Sequence, residues 1–362
     1  MEPEVRKTPV RYYEIDLLRF IAAISVVLYH YTYWGPASPG YVPFPFADIG
    51  RVSRYGYLGV ELFFMISGYV VLLSAQGKTV RQFFLSRVTR LYPAYWAACT
   101  LTFLVERVWG PKATDVGMTP TLAPSLKQYL CNMTMLHDFI GVVAIDTAYW
   151  SLTIEITFYF LIAVLIGFKL LQHIEWFLTA WLAYAAYPGQ SPSNTQFGML
   201  FFPNYAPYFM VGMLFYLLQQ RQGRTPWRYA LLVGACLLSL RIGARKAVEI
   251  SAALHGDTSW KVAVLLICSF FLTFYLVSFR KVNLSRFTWL AWLGALTYPL
   301  YLLHSSIGYI VFHRLGGRVD HHVLLLGMLA TVLVLTYLLH TLVERRFSKL
   351  LGQKVSALLA RA

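Results

Sequence analysis

The chain has 362 residues, of which 58% are hydrophobic and only 13% are charged, and its formal net charge is +15. Soluble domains are typically about 45–50% apolar and about 25% charged, so this composition excludes an ordinary soluble protein and indicates a membrane protein. The excess of Lys and Arg lies mostly between apolar segments, which is typical of cytoplasmic loops and argues against nucleic-acid binding.

Apolar segments of about twenty residues predict membrane-spanning helices. The ten predicted helices cover residues 14–33, 56–75, 91–109, 149–168, 174–188, 199–218, 228–242, 261–279, 289–312 and 322–343. The basic residues between them place both termini in the cytoplasm. The amphipathic segment 124–141 predicts an interfacial or re-entrant piece. We therefore expect an all-α, polytopic membrane bundle consisting of one membrane domain, residues 1–350, and a short cytoplasmic tail, residues 351–362.

The first predicted helix is unusual because it carries Asp16, Arg19 and His30 in the otherwise apolar sequence "EIDLLRFIAAISVVLYHY". Eleven residues correspond to about three helical turns, so Arg19 and His30 lie on one face, about 16 Å apart along the axis. Asp16 precedes Arg19 by three residues and can pair with it. A structural ion pair with a packed histidine would explain this pattern, but ionisable residues within a membrane more often mark a functional site.

Three further ionisable residues lie near the predicted outer ends of other helices, namely Glu61 in the second, Glu155 in the fourth and His304 in the ninth. Together with His30 they occupy one depth band, which predicts a polar, catalytic cavity. A metal site is disfavoured, because no two of these residues share a helix at i, i+3 or i+4 spacing. We expect neither a metal nor a tightly bound cofactor.

Charged and aromatic residues also stand at the two mouths of the predicted bundle. The segment "VRQFFLSRVTRLYPAYW" places Arg87 and Arg90 three residues apart at the cytoplasmic end of the third helix. Topology alone would explain two such charges. The alternative is an anion site, since arginine pairs bidentately with phosphate. At the outer mouth, Trp150 precedes Glu155, and its ring is placed to stack on a sugar.

Six segments, in order, resemble the acyltransferase-3 family of membrane acyltransferases. They are "IDLLRFIAAISVVLYH", "GYLGVELFFMISGYV", "FFLSRVTRLYPAYW", "MLHDFIGVVAIDTAYWSLTIEITFY", "LTYPLYLLH" and "LVERRFSKL". They cover most of residues 14–350, and their order is more specific than any one of them. The last segment departs from the family pattern, because it has "ERRF" at Glu344–Phe347 where the family often has a proline after a Glu-Lys pair.

The resemblance implies a multi-pass enzyme of the bacterial inner membrane, in contact with membrane lipid, that takes an acyl group from cytoplasmic acyl-CoA. The group is usually acetyl, from acetyl-CoA, and the acceptor is commonly a hydroxyl of an extracytoplasmic or lipid-linked saccharide, as in exopolysaccharide or lipopolysaccharide. Family precedent points to His30 as the catalytic residue and to Arg19, Arg87 and Arg90 as important basic positions.

The residues themselves suggest how such a transfer would work. Because histidine gains and loses protons near neutral pH, His30 is expected to remove the proton of the acceptor hydroxyl. Either Glu61 or Glu155 would orient its imidazole, and the sequence leaves open which. The candidate substrate-binding residues are Arg19, Arg87, Arg90, Trp150, Ser151, Tyr298 and His304.

Two other functions stay open on the sequence alone. A transporter or flippase for a saccharide or a proton-coupled solute also uses intramembrane Glu and His residues, as proton relays. A non-catalytic scaffold for envelope assembly would tolerate the loss of His30, whereas a transporter would not consume acyl-CoA.

Overall fold

A computed structural model describes residues 11–112, 115, 117–188, 195–220 and 223–361. Every regular element in these residues is helical, which confirms the all-α prediction. The N-terminal residues 1–10, which the sequence places in the cytoplasm, lie outside the described residues.

The helices vary widely in length. They are α1 (Tyr13–Tyr29), α2 (Gly35–Ala37), α3 (Ala47–Ser53), α4 (Leu58–Ala75), α5 (Val80–Trp109), α6 (Leu126–Asn132), α7 (Trp150–Gly167), α8 (Ile174–Ala186), α9 (Gln196–Phe201), α10 (Ala206–Gln219), α11 (Pro226–Ala253), α12 (Trp260–Ser278), α13 (Leu290–Leu303), α14 (Ser305–Leu315), α15 (His321–Leu338) and α16 (Arg345–Arg361). Short π-helical and 3₁₀ turns occur at His30–Trp34, Pro120–Leu122, His137–Ile140, Leu170–His173 and Leu339–Glu344.

Eight of the ten predicted spans overlap one α-helix each, whereas 199–218 falls on α9 and α10 and 289–312 falls on α13 and α14. These helices differ in how well they suit a membrane. Among the described residues, five helical stretches are long and apolar enough to cross a bilayer, or six if α13 and α14 form one bent span. Others are short, such as α8 with 13 residues and α10 with 14. The number of ten spans and the orientation of both termini therefore stay predictions.

Three segments differ from the sequence pattern or refine it. Helix α11 continues to Ala253, whereas the pattern ended it at residue 242, where charged residues begin. The predicted tail, residues 351–362, continues α16 through Arg361. The amphipathic segment 124–141 forms only α6 and a 3₁₀ turn, which are too short to cross a membrane.

The bundle has two ends, which we call inner and outer after the predicted orientation. At the inner end, Gln219 at the end of α10 donates a hydrogen bond of 2.7 Å to the hydroxyl of Tyr12, just before α1. At the outer end, the hydroxyls of Tyr33 and Thr258 are 3.1 Å apart. Segments predicted to share one side of the membrane therefore lie at the same end of the bundle.

The loop after α5 is tied to the end of α14 by Arg314. Its guanidinium donates to the carbonyl oxygens of Trp109 at 2.8 Å and Gly110 at 2.7 Å, and to Asp115 Oδ2 at 2.6 Å. The hydrogen bond from Arg314 lowers the pKa of Asp115 to about 2. The carboxylate is therefore charged near neutral pH, and the loop stays attached at the outer end.

Glycine allows α4 and α10 to cross closely. A Cβ at Gly212 would lie 1.9 Å from the carbonyl oxygen of Met65, and a Cβ at Gly68 would lie 2.1 Å from that of Phe209. Backbone atoms cannot rotate away as a side chain can, so any larger residue here must separate the two helices.

We expect Gly212→Ala to lower the free energy of unfolding by about 1–3 kcal/mol, the usual cost of overpacking. Gly327→Ala on α15 is the matched control, since a Cβ there would meet no described atom within 4 Å. Thermal unfolding of the detergent-purified protein measures both variants. Equal melting temperatures for the two would contradict the packing argument.

Candidate active site

His30 and His304 form a hydrogen-bonded pair at the outer end of the bundle. His30 Nδ1 lies 2.8 Å from His304 Nε2, and His304 Nδ1 lies 2.9 Å from the carbonyl oxygen of Tyr301. His304 is fully buried, whereas His30 is partly buried. Their direct contact agrees with the expectation that both lie at one depth.

The hydrogen bonds define the tautomers of the two neutral rings. A carbonyl oxygen only accepts, so His304 Nδ1 carries the proton that bonds Tyr301. His304 Nε2 is then an acceptor, and His30 Nδ1 must donate to it. His30 Nε2 is left with a free lone pair, which is what a general base requires.

Irregularities in two helices bring these rings together. Helix α1 passes into a π-helical turn at His30–Trp34, a feature that is frequent at functional sites. Helix α13 ends at Leu303, and α14 leaves it at an angle of 60°. Pro299 lacks the N–H that would continue the ladder, so it weakens α13 just before this bend.

The loop before α7 holds the bend in place. In a continuous helix the N–H of Ser306 would donate to the carbonyl of Leu302. Here Ser306 N donates to Asp146 Oδ2 at 2.9 Å, and Leu302 O accepts from the Tyr149 hydroxyl at 3.0 Å. The other oxygen of Asp146 accepts from Ala148 N at 2.9 Å. Asp146 and Tyr149 thus replace the bond that the break removes.

A cavity of about 90 Å³ lies further along α1 and α13, toward the inner end. Its polar and charged lining residues are Arg19, Ser67, Arg90, Ser151, Glu155, Thr297, Tyr298 and Tyr301. Five of the predicted site residues meet there: Arg19, Arg90, Ser151, Glu155 and Tyr298. Because Arg19 and His30 both face α13, the helical-face prediction agrees with the structure. We call this space the arginine cavity.

Arg87 lies beside the arginine cavity rather than in it. Its guanidinium carbon is 5.4 Å from the ring centroid of Tyr159, whose hydroxyl donates a hydrogen bond to Glu155. Glu155 therefore lines the same cavity as Arg19 and Arg90, and Tyr159 connects it with Arg87. Three guanidinium groups around one carboxylate leave surplus positive charge, which favours an anionic ligand.

Within the described residues, neither Glu61 nor Glu155 forms a hydrogen bond with His30. Glu61 pairs with Lys246, with Oε1 at 2.6 Å from Nζ, and Glu155 belongs to the arginine cavity. The sequence pattern missed Lys246, because α11 was expected to end before it. His304, expected to bind substrate, takes the position that was assigned to a carboxylate.

The prediction that Asp16 pairs with Arg19 is wrong. Asp16 Oδ2 instead lies 2.7 Å from Arg11 Nε. Arg11 reaches the first turn of α1 from the segment just before the helix, whereas Arg19 enters the arginine cavity. A spacing of three residues allows a contact but does not decide between two available arginines.

Trp150 does not line the arginine cavity. It lines a second cavity, of about 520 Å³, together with Asp138, Asn204 and Tyr205.

The sequence analysis did not single out Asp146 and Tyr149, the two residues that hold the bend. They lie in a loop, and loop residues carry no helical periodicity that would distinguish them.

Comparison with known proteins gives a family and two relatives. A family described as an acyltransferase domain matches residues 12–341. The peptidoglycan O-acetyltransferase OatA of Listeria monocytogenes is 24% identical over 214 aligned residues, and the match covers 51% of this chain and 30% of that protein. The acyltransferase MdmB of Streptomyces mycarofaciens is 25% identical over 396 residues, covering 98% of this chain and 95% of that protein. No solved structure matches.

The role of Asp146 leads to a stability prediction. Asp146→Ala leaves the N–H of Ser306 without a partner inside the bundle, which should cost about 1–3 kcal/mol. Asp146→Asn keeps one accepting oxygen and should cost less. Melting temperatures measure this order, and nitrogen NMR of labelled histidines reports whether the His30–His304 pair is disturbed. A melting temperature of Asp146→Ala equal to that of the unaltered protein would contradict the role.

Proposed function

The chain belongs to the acyltransferase domain family, and on this premise we propose that it transfers an acetyl group from cytoplasmic acetyl-CoA to a saccharide hydroxyl on the outer side. Family membership makes it an acyltransferase, and its apolar helices indicate a multi-pass membrane protein. The donor, the acceptor and their sides are the proposed parts. The observation that carries the proposal is the His30–His304 pair at the outer end, in line with the arginine cavity.

The arginine cavity supports an anionic donor. Acetyl-CoA carries its negative charges on the phosphates at one end and its thioester at the other. Arg19, Arg87 and Arg90 would hold the phosphate end near the inner mouth. The axial distance of about 16 Å from Arg19 to His30 is comparable to an extended pantetheine arm. The thioester would then reach His30 while the nucleotide stays on the cytoplasmic side.

The histidine pair supports general-base catalysis. His30 Nε2 takes the proton of the acceptor hydroxyl while the hydroxyl oxygen attacks the thioester carbonyl carbon. His304 Nε2 accepts the Nδ1 proton of His30 in a hydrogen bond, which stabilises the imidazolium that forms. As the intermediate collapses, the C–S bond breaks, and the CoA thiolate takes the proton back from His30. The products are the acetyl ester and free CoA.

The relative named as a peptidoglycan O-acetyltransferase makes a cell-envelope saccharide the first acceptor class to examine. A saccharide on the outer side would approach the end of the bundle at which His30 lies. The acetyl group would then cross most of the membrane on the donor arm, without movement of the whole CoA molecule.

The proposal is tested with the full-length protein oriented in sealed vesicles, with acetyl-CoA on the inner-end side and peptidoglycan fragments or neutral oligosaccharides on the other. We expect acetylated acceptor and free CoA. His30→Ala should slow transfer by roughly 10²–10⁴-fold, the contribution of a general base, in a protein that still folds. Near-normal transfer by this variant, or product only when both substrates share one side, would contradict the mechanism.

The donor site leads to a binding prediction. Arg90→Gln and Arg87→Gln should each weaken acetyl-CoA binding by about 1–3 kcal/mol, the range for a lost charged hydrogen bond. Calorimetry with acetyl-CoA measures this. Arg81→Gln is the matched control, because Arg81 is an exposed arginine on the same helix that neither lines the arginine cavity nor packs on Tyr159 as Arg87 does. Equal affinities in all three variants would assign Arg87 and Arg90 to topology alone.

A further inference from the structure

A second cavity at the outer end has no part in the reaction described above. Its volume is about 520 Å³, and it lies beside the first turns of α7. Its aromatic and polar lining residues include Asp138, Trp150, Thr153, Asn204 and Tyr205. It contains no arginine among its lining residues, unlike the arginine cavity, so it suits a ligand of different chemistry.

Two aromatic rings form one wall of this cavity. The centroids of Trp150 and Tyr205 are 5.3 Å apart, with an angle of 39° between the ring planes, and both residues are only partly buried. Sugar rings bind proteins by placing their C–H faces on aromatic rings while nearby polar side chains bond their hydroxyls. Adjacent rings beside the carboxylate of Asp138 and the amide of Asn204 therefore suit a saccharide.

Lys246 reaches this wall from α11, and its charge helps to decide which ligands the cavity can bind. Its Nζ lies 5.7 Å from the centroid of Trp150 and 5.0 Å from that of Tyr205. It also pairs with Glu61 at 2.6 Å, which cancels the ammonium charge. Asp138 adds a further carboxylate to the cavity.

Arg245 donates a hydrogen bond of 2.6 Å to Asn204 Oδ1, and it is paired in turn with Glu249 at 3.4 Å. With both cations paired, the wall has no surplus positive charge that would attract a phosphate or a uronic acid.

Several buried polar atoms near this wall lack partners in the part of the chain that the structure describes. Glu61 Oε2, Tyr57 OH and Thr153 Oγ1 form no hydrogen bond. Unpaired polar atoms in a buried position are costly. Of these three residues Thr153 lines the cavity, and a ligand rich in hydroxyl groups brings both donors and acceptors to it.

Aromatic residues continue from this wall to the histidine pair. The ring of Tyr57 is 5.4 Å from Lys246 Nζ, and its centroid is 5.7 Å from that of Tyr29. The ring of Tyr29 is in turn 5.4 Å from the ring of His30. The buried rings of Tyr57 and Tyr29 thus separate the wall from His30, so a ligand held at Trp150 must be longer than one sugar ring to place a hydroxyl at the base.

We propose that this cavity binds the acceptor, and that the acceptor is an uncharged saccharide of more than one sugar ring. Trp150 and Tyr205 are its stacking surface, and Asp138, Asn204 and Lys246 bond its hydroxyls. This inference rests on the proposed function, to which it adds the chemical class of the acceptor and a binding site separate from the donor site.

The test is calorimetry on the detergent-purified, full-length protein without donor. The ligands are neutral tetrasaccharides of glucose, galactose, mannose and N-acetylglucosamine, with a tetrasaccharide of uronic acids for comparison. At least one neutral ligand should bind, and the uronic acid ligand should bind at least tenfold more weakly. Trp150→Ala should weaken binding about tenfold or more, whereas Trp150→Phe keeps a stacking ring and most of the affinity.

Trp176→Ala is the matched control, because Trp176 on α8 is 76% exposed and does not line the cavity. It should leave binding unchanged. If Trp150→Ala has a lowered melting temperature, Tyr205→Ala tests the same surface. The proposal is overturned if no neutral tetrasaccharide binds, if these variants bind as tightly as the unaltered protein, or if the uronic acid ligand binds more tightly. Because no donor is present, a failure of transfer in vesicles would overturn the proposed function separately.

Discussion

The active-site geometry depends on a broken helix whose backbone groups find partners elsewhere in the chain. In hydrocarbon no water replaces a lost backbone hydrogen bond, so a break persists only where protein groups take over. Between α13 and α14, Asp146 binds the N–H of Ser306 and Tyr149 binds the carbonyl of Leu302. The Tyr31 hydroxyl adds a bond of 2.6 Å to the carbonyl of His304. These contacts fix the position from which His304 meets His30.

Along α1 and α13, the basic residues and the histidines lie at different levels of the bundle. Arg19 lies with Glu155 in the arginine cavity, and His30 lies with His304 three turns further on. Tyr301 stands between them, because it lines the cavity and its ring is 5.6 Å from that of His304. In the proposed reaction His30 becomes positive, and the distance keeps the guanidinium charge away from it, since like charges repel most strongly at short range.

The use of His304 in place of a carboxylate has a consequence for the charges of the bundle. In the proposed reaction, the neutral imidazole of His304 would orient His30 without placing a negative charge beside the reacting groups. Glu61 instead pairs with Lys246, and Glu155 shares the arginine cavity with Arg19 and Arg90. Buried charges within a membrane are costly unless they are paired, so each carboxylate is placed where a positive group needs it.

The sequence by itself determined the helical class and the common face of Arg19 and His30, because hydropathy and the 3.6-residue period act over short stretches of chain. It also singled out His304 and most of the polar and charged residues that line the arginine cavity. Only the tertiary structure decided the pairs: His304 with His30, Lys246 with Glu61, and Arg11 with Asp16. His30 and His304 are 274 positions apart, and the contact between them depends on how whole helices pack and where one of them breaks. Local periodicity fixes which face a side chain takes, whereas its partner on that face is set by long-range packing, which no short stretch of sequence contains.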